Sequence, residues 1–248
     1  MNKNETGHAI NVVNFENLIS CVDGYGTIYN PSNEAIKAPN LRVTLANAKS
    51  AINDVNAAQA AYSGAIDARE VAFTSLSKLT TRILSALKAS NTTQQVDETV
   101  KSLVRKVHGE RATPKLTEEE KKALGENSKE VKEISTSQMG YDNRLENFNK
   151  IIITLTSIPE YNPNEEDLKI TSLKAHYNKL YTLNQTVINT ATALSNARIA
   201  RNRILYIEDS GILNSAASVK QYIKSLYGAT SSQFKQVSKI AFRSNGVN

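Results

Sequence analysis

Apolar residues recur every three to four positions over most of this 248-residue chain, with polar residues between them, which is the period of a helix burying one face. Leu41, Leu45, Ala48, Ile52 and Val55 mark such a stripe, and Val71, Leu76, Leu79, Ile83 and Leu87 continue it less regularly. From Leu41 to Ala89 there is one glycine, Gly64, and no proline, so the segment reads as helix with Asn40 as its N-cap. A shorter helix is expected from about Ile10 to Val22, ending at Asp23-Gly24-Tyr25-Gly26, and another from Val96 to Val107, stopped by His108-Gly109. Met139, Leu145, Phe148, Ile151, Ile152 and Leu155 put an apolar face on a helix from Ser137 to Ile158, which Pro159 and Pro163 close. The next helix, about Glu165 to Ile207, carries Leu173, Leu180, Leu183, Val187, Ala191 and Leu194, with Asn164 and Asp167 at its start. A helix from Ser215 to Tyr227 is closed by Gly228, and Ser231 or Ser232 starts a short element ending near Phe242. Alternating β-branched runs of useful length do not occur, and the fold class is all-α.

Parts of this pattern occur twice. Ala65, Ala68 and Arg69 precede Ala197, Ala200 and Arg201 by 132 positions, Ile83 to Leu87 precede Ile223 to Tyr227 by 140, and Val100 to Leu103 precede Val237 to Ile240 by 137. Where the register slips from 132 to 140 the second copy carries extra residues, which places a kink between Phe73 and Leu79. A gapped duplication of long helices predicts an elongated antiparallel bundle built from two weakly similar halves around a shared core. The division that follows is a leader over 1–39 with a short helix, a first half over 40–109, a charged linker or exposed arm over 110–136, and a second half over 137–248. In the arm, Thr117-Glu118-Glu119-Glu120 forms a capping box and Lys121, Lys122, Lys129 and Lys132 alternate with Glu126, Glu130 and Glu133.

Composition sharpens this picture in three places. The only cysteine, Cys21, can form no internal disulfide and sits among Leu18, Ile19 and Val22 as a small buried hydrophobe. The first fifteen residues lack the basic start and apolar run of a secretory signal, and Ile151-Ile152-Ile153 is far short of the roughly 20 residues that span a membrane. These features predict a cytoplasmic protein. The net charge of +6 lies wholly in the last fifth: residues 198–248 hold eight basic and two acidic side chains, and the rest of the chain balances. That asymmetry nominates Arg198, Arg201, Lys220, Lys224 and Lys235 as candidate contacts for an anion or a partner.

Catalytic chemistry has little to build on. His8, His108 and His176 lie on separate elements without the spacing of a helical metal-ligand pair, and Gly24-Tyr25-Gly26 lacks the third glycine and preceding strand of a nucleotide loop. No catalytic residue, cofactor or metal is expected. Tyr141-Asp142-Asn143-Arg144 is the most polar cluster at the start of an apolar helix; it reads either as a ligand or partner contact or, the favoured reading, with Asp142 complementing the helix N-terminus and Arg144 pairing locally. Arg201 falls opposite Arg69 in the repeat, and Arg69 has Asp67 and Glu70 nearby for a salt bridge; recurrence in both halves favours a structural role.

Ile134 to Arg144, Ala200-Arg201-Asn202 with Leu205-Tyr206, and the stretch Tyr222 to Phe242 resemble a family of bacterial all-helical proteins with no assigned activity. The resemblance covers roughly residues 40–243. It implies a helical bundle and carries over no catalytic or binding residue. The expected function is that of a non-catalytic structural or protein-interaction bundle that self-associates or scaffolds a protein partner. The alternative is a nucleic-acid-associated protein using segment 198–243, and a weaker third reading is a small-molecule binder in the bundle core.

Overall fold

The computed structural model describes residues 3–110, 140–207, 209 and 211–243. The helices are α1 (Lys3–Gly24), α2 (Ala38–Thr74), α3 (Leu76–Ala89), α4 (Gln94–His108), α5 (Tyr141–Thr156), α6 (Ile170–Asn202), α7 (Ile212–Tyr227) and α8 (Ser232–Ser238). Among the described residues there is no strand, and the fold is an all-α bundle. The charged segment expected to form an arm lies outside the described residues from position 111 onward.

Local chemistry sets the element ends. Gly109 takes φ 74°, a left-handed conformation that costs glycine no Cβ clash, and the amides of Gly109 and Glu110 close onto the carbonyls of Lys106 and Arg105 at 3.2 and 3.0 Å. The hydroxyl of Ser231 accepts from the amide of Phe234 at 3.1 Å and caps α8. The kink expected between Phe73 and Leu79 is a break at Ser75, between the end of α2 and the start of α3. The helix expected over 165–207 is shorter than its periodicity suggested: a 3-10 turn at Glu166–Leu168 precedes α6, and five residues of π-helix, Arg203–Ile207, follow it. Asn164 therefore does not cap α6, and Asn40 lies inside α2, where its side-chain amide donates to the carbonyl of Glu34.

Packing divides the chain into two units. Unit 1 takes residues 1–62 and 190–248, and unit 2 takes 63–189, so the division falls within α2 and α6. In unit 1, Phe15, Leu18, Ile19 and Val22 of α1 share a core with Leu41 and Ala48 of α2, Ile212, Val219 and Ile223 of α7, and Val237 of α8. In unit 2, Phe148, Ile151, Ile152 and Leu155 of α5 share a core with Leu76, Ile83 and Leu87 of α3, Val100 and Val104 of α4, and Leu173 and Leu180 of α6. The packed units thus cut across the segments 40–109 and 137–248. The expected leader, 1–39, supplies a core helix, and each unit joins the front of one sequence half to the rear of the other. Helical periodicity tells which face is buried but not which helix covers it, so this exchange has no sequence signature.

The two cores use matching positions. Val12, Phe15, Leu18, Ile19 and Val22 are buried in α1, and Leu145, Phe148, Ile151, Ile152 and Leu155 are buried 133 positions later in α5. Leu76, Thr80, Ile83 and Leu87 of α3 match Ile212, Ala216, Val219 and Ile223 of α7 at 136 positions. The register of 140 read from similar residues instead sets buried Thr80 and Leu87 against half-buried Lys220 and Tyr227, one helical turn away. A third match lies in the loops. Tyr29-Asn30-Pro31 and Tyr161-Asn162-Pro163 each precede a 3-10 turn, and each tyrosine is buried and donates its hydroxyl to the carbonyl seven residues on, Ile36 at 2.8 Å and Leu168 at 3.0 Å. Burial pushes the Tyr161 phenol up to about 12 and raises that of Tyr29 as well, so both remain neutral donors.

Candidate functional site

All five nominated basic residues belong to unit 1, and the structure uses most of them internally. Arg201 is only 3% exposed, and its Nε and Nη2 donate to Oδ1 of Asn202 at 3.1 and 2.9 Å. A guanidinium that buried offers no face to a phosphate backbone. Arg198 donates from Nη2 to Oε1 of Gln59 on α2 at 3.1 Å. Lys220 donates to the carbonyl of Ile240 at 2.5 Å and lies 5.1 Å from the ring centroid of Phe242; burial lowers its pKa. Lys224, one turn on, sits 5.8 Å from the ring of Phe234. These two lysines place cations over aromatic rings of the C-terminal segment, a favourable use of charge that needs no external anion. Lys235 is exposed on α8.

The same segment is held from its other side by α1. Asn11 is fully buried; its Nδ2 donates to the carbonyl of Arg243 at 2.8 Å and its Oδ1 accepts from the amide of Arg243 at 3.0 Å. Asn14 donates to the carbonyl of Ala241 at 2.7 Å. Nδ2 of Asn11 also donates to the hydroxyl of Tyr206, which lies 2.5 Å from Nδ1 of buried His8. Two asparagines and a lysine therefore pair the backbone of the C-terminal tail, satisfying groups that would otherwise be desolvated without partners. No spacing rule announces Asn11, Asn14 or Tyr206, because their partners lie 195 to 232 positions away.

Unit 2 has a polar joint of its own. Arg69 donates from Nη1 to Oδ1 of Asn184 at 3.0 Å and lies 4.0 Å from the ring centroid of Tyr141, in place of the salt bridge with Asp67 or Glu70 expected for it. Nδ2 of Asn184 donates in turn to Asp142. Tyr141 meets Phe73 edge-on at 4.9 Å, and Arg144 covers the other ring at 5.5 Å while donating to the carbonyl of Phe73 at 3.2 Å. Arg144 pairs across the fold rather than locally, and burial lowers its pKa. The Tyr141-Asp142-Asn143-Arg144 cluster thus ties the start of α5 to the end of α2 and to α6. Its chemistry is alternating cation and ring, which holds the helices together, with the Asp142 carboxylate engaged by Asn184.

The Cys21 thiol is half-buried and its pKa is raised by burial, opposite to the activation of a reactive thiolate. Among the described residues no group of three His, Cys, Asp or Glu side chains is placed to hold a metal ion, and no helix is long and apolar enough to cross a membrane. Comparison with protein-family models, curated proteins and solved structures returns no match to this chain.

Proposed function

We propose that the chain is a non-catalytic helical scaffold that works in the cytoplasm through protein contacts, self-association among them. The observation that carries this reading is on α6 within unit 2. Tyr181 is 48% exposed and Ile188 49% exposed, seven positions apart on one face, and Tyr177 stacks on Tyr181 with ring centroids 6.3 Å apart. Tyrosine and isoleucine turned outward two helical turns apart make a strip suited to another helix, and aromatic residues are the side chains that anchor protein interfaces. The fate of the basic residues supports the same reading, since two of the five hold rings of the tail and one is buried.

Light scattering on size-exclusion fractions tests it. The protein is expected to elute at a multiple of its chain mass, and Tyr181→Glu with Ile188→Glu is expected to return it to one chain. A wild-type protein that stays at one chain mass up to about 100 µM, weaker than the micromolar range of ordinary transient contacts, would sink self-association. The nucleic-acid reading keeps the exposed side chains of Lys235, Lys239 and Arg243 in its favour. It predicts a 260 nm signal that co-elutes at low salt and is lost in strong salt.

A further inference from the structure

The match between the units fails at Ala86, and the space beside it is a cavity. In the 136-position register of α3 and α7, Tyr222 of α7 corresponds to Ala86 of α3. In unit 1 the ring of Tyr222 stands edge-on to Tyr29 at 5.2 Å and 89°, and its hydroxyl accepts from the amide of Asn30 at 3.3 Å. Unit 2 keeps the rest of this arrangement: Tyr161 stands for Tyr29 with its hydroxyl on Leu168, and Asn162-Pro163 stands for Asn30-Pro31. With only a methyl group at Ala86, the space against this loop is a cavity of about 470 Å³ that is open to solvent over much of its extent, lined by Ala86, Ala89, Ser85, Asn162, Pro163 and Asn164 among others. That volume lies in the range of small-molecule sites. The amide of Asn162, whose counterpart serves a phenol in unit 1, turns back to the carbonyl of Glu160 two residues earlier at 3.0 Å.

We propose that this cavity binds a phenol ring, in the way unit 1 receives the ring of Tyr222. The bound ring lies against Ala86, Pro163 and Leu168, and its oxygen takes the Asn162 amide from the Glu160 carbonyl, with Ser85 and Asn164 at the rim for whatever the phenol carries. Two sources supply that chemistry, a tyrosine side chain of a protein partner and a free small phenol. The site stands independently of the scaffold reading, because it rests on the comparison of the two units and not on the exposed face of α6.

Titration of the full-length, ¹⁵N-labelled protein with p-cresol, N-acetyl-tyrosinamide and toluene tests it. Saturable shifts are expected at the amides of Ala86, Ala89 and Asn162 with p-cresol. Toluene, which lacks the accepting oxygen, is expected to bind about 3- to 10-fold more weakly. Binding of N-acetyl-tyrosinamide at least as tight as p-cresol points to a protein side chain, and its exclusion while p-cresol binds points to a free phenol. Ala86→Tyr is expected to remove all of these shifts, and Tyr222→Ala to create a second p-cresol site reported at Asn30. Absence of saturable shifts at Ala86 and Asn162 with p-cresol in the wild-type protein overturns the proposal, as does toluene binding equal to p-cresol.

Discussion

Phe148→Ala is expected to destabilise unit 2 by about 3–5 kcal/mol, and Phe15→Ala to do the same to unit 1. Both rings are fully buried, at matching positions of α5 and α1. Truncation removes the transfer free energy of the ring and leaves a cavity in a close-packed core, and the cost depends on how far the neighbours collapse. The rings sit among different helices: Phe148 among residues of α3, α4 and α6, and Phe15 among residues of α2, α7 and α8. Hydrogen exchange therefore reads the two substitutions apart. With Phe148→Ala, protection should fall in α3, α4 and α5; with Phe15→Ala it should fall in α1, α7 and α8, more than 170 positions down the chain. Loss of protection confined to residues 3–110 in the Phe15 variant would mean that the sequence halves, not the packed units, unfold as wholes.

Phe73→Ala is expected to cost a similar amount, about 3–5 kcal/mol, for a partly different reason. Phe73 is the last large residue before the break at Ser75, and its ring is flanked by Tyr141 and the Arg144 guanidinium. Removing it deletes buried area and also leaves Arg144 without the ring that accompanies its desolvated charge. Unit 1 places Leu205 at the corresponding position, 132 residues on, where Arg201 is held by Asn202 instead of by an aromatic ladder. Phe73→Leu should consequently recover most of the loss, to within about 1.5 kcal/mol of the wild type. Thermal unfolding followed by circular dichroism measures all three proteins. A Phe73→Leu variant as unstable as Phe73→Ala would show that the ring's contact with Arg144, not the buried volume, holds this joint.

Much of the fold was legible because helical punctuation is local. Gly109 and Ser231 end and start helices as their residue types require, and the apolar stripes are buried from Leu76 to Leu87 in α3 and from Leu145 to Leu155 in α5, while Val71, read into the first of them, is 74% exposed. The correspondence of buried positions was legible only in part. Positions one turn apart share a helix face, so similarity between Ile83-Leu84-Ser85-Ala86-Leu87 and Ile223-Lys224-Ser225-Leu226-Tyr227 settles the face and leaves the turn open, by four residues here. The more telling repeat, Tyr-Asn-Pro at 29–31 and 161–163, lies in segments that read as loops and carries no periodicity. The burial of the candidate residues was not legible where packing overrode residue type. Arginine is ordinarily a surface residue, and Arg201 is buried because an adjacent asparagine and the surrounding packing accept it. Asn11 and Asn14 look like any polar positions on α1, and only the tail folding back onto them gives them a role.

The measurement that tests this account most directly is a nick. A protease site inserted between residues 110 and 140 of the full-length protein would be cut under native conditions and the product passed over a sizing column. Because each unit joins helices from before and after the cut, the two pieces are expected to co-elute at the uncut position and to separate only in denaturant. Pieces that part in native buffer, each keeping its helical circular dichroism, would show that the halves fold separately and would contradict the two-unit architecture.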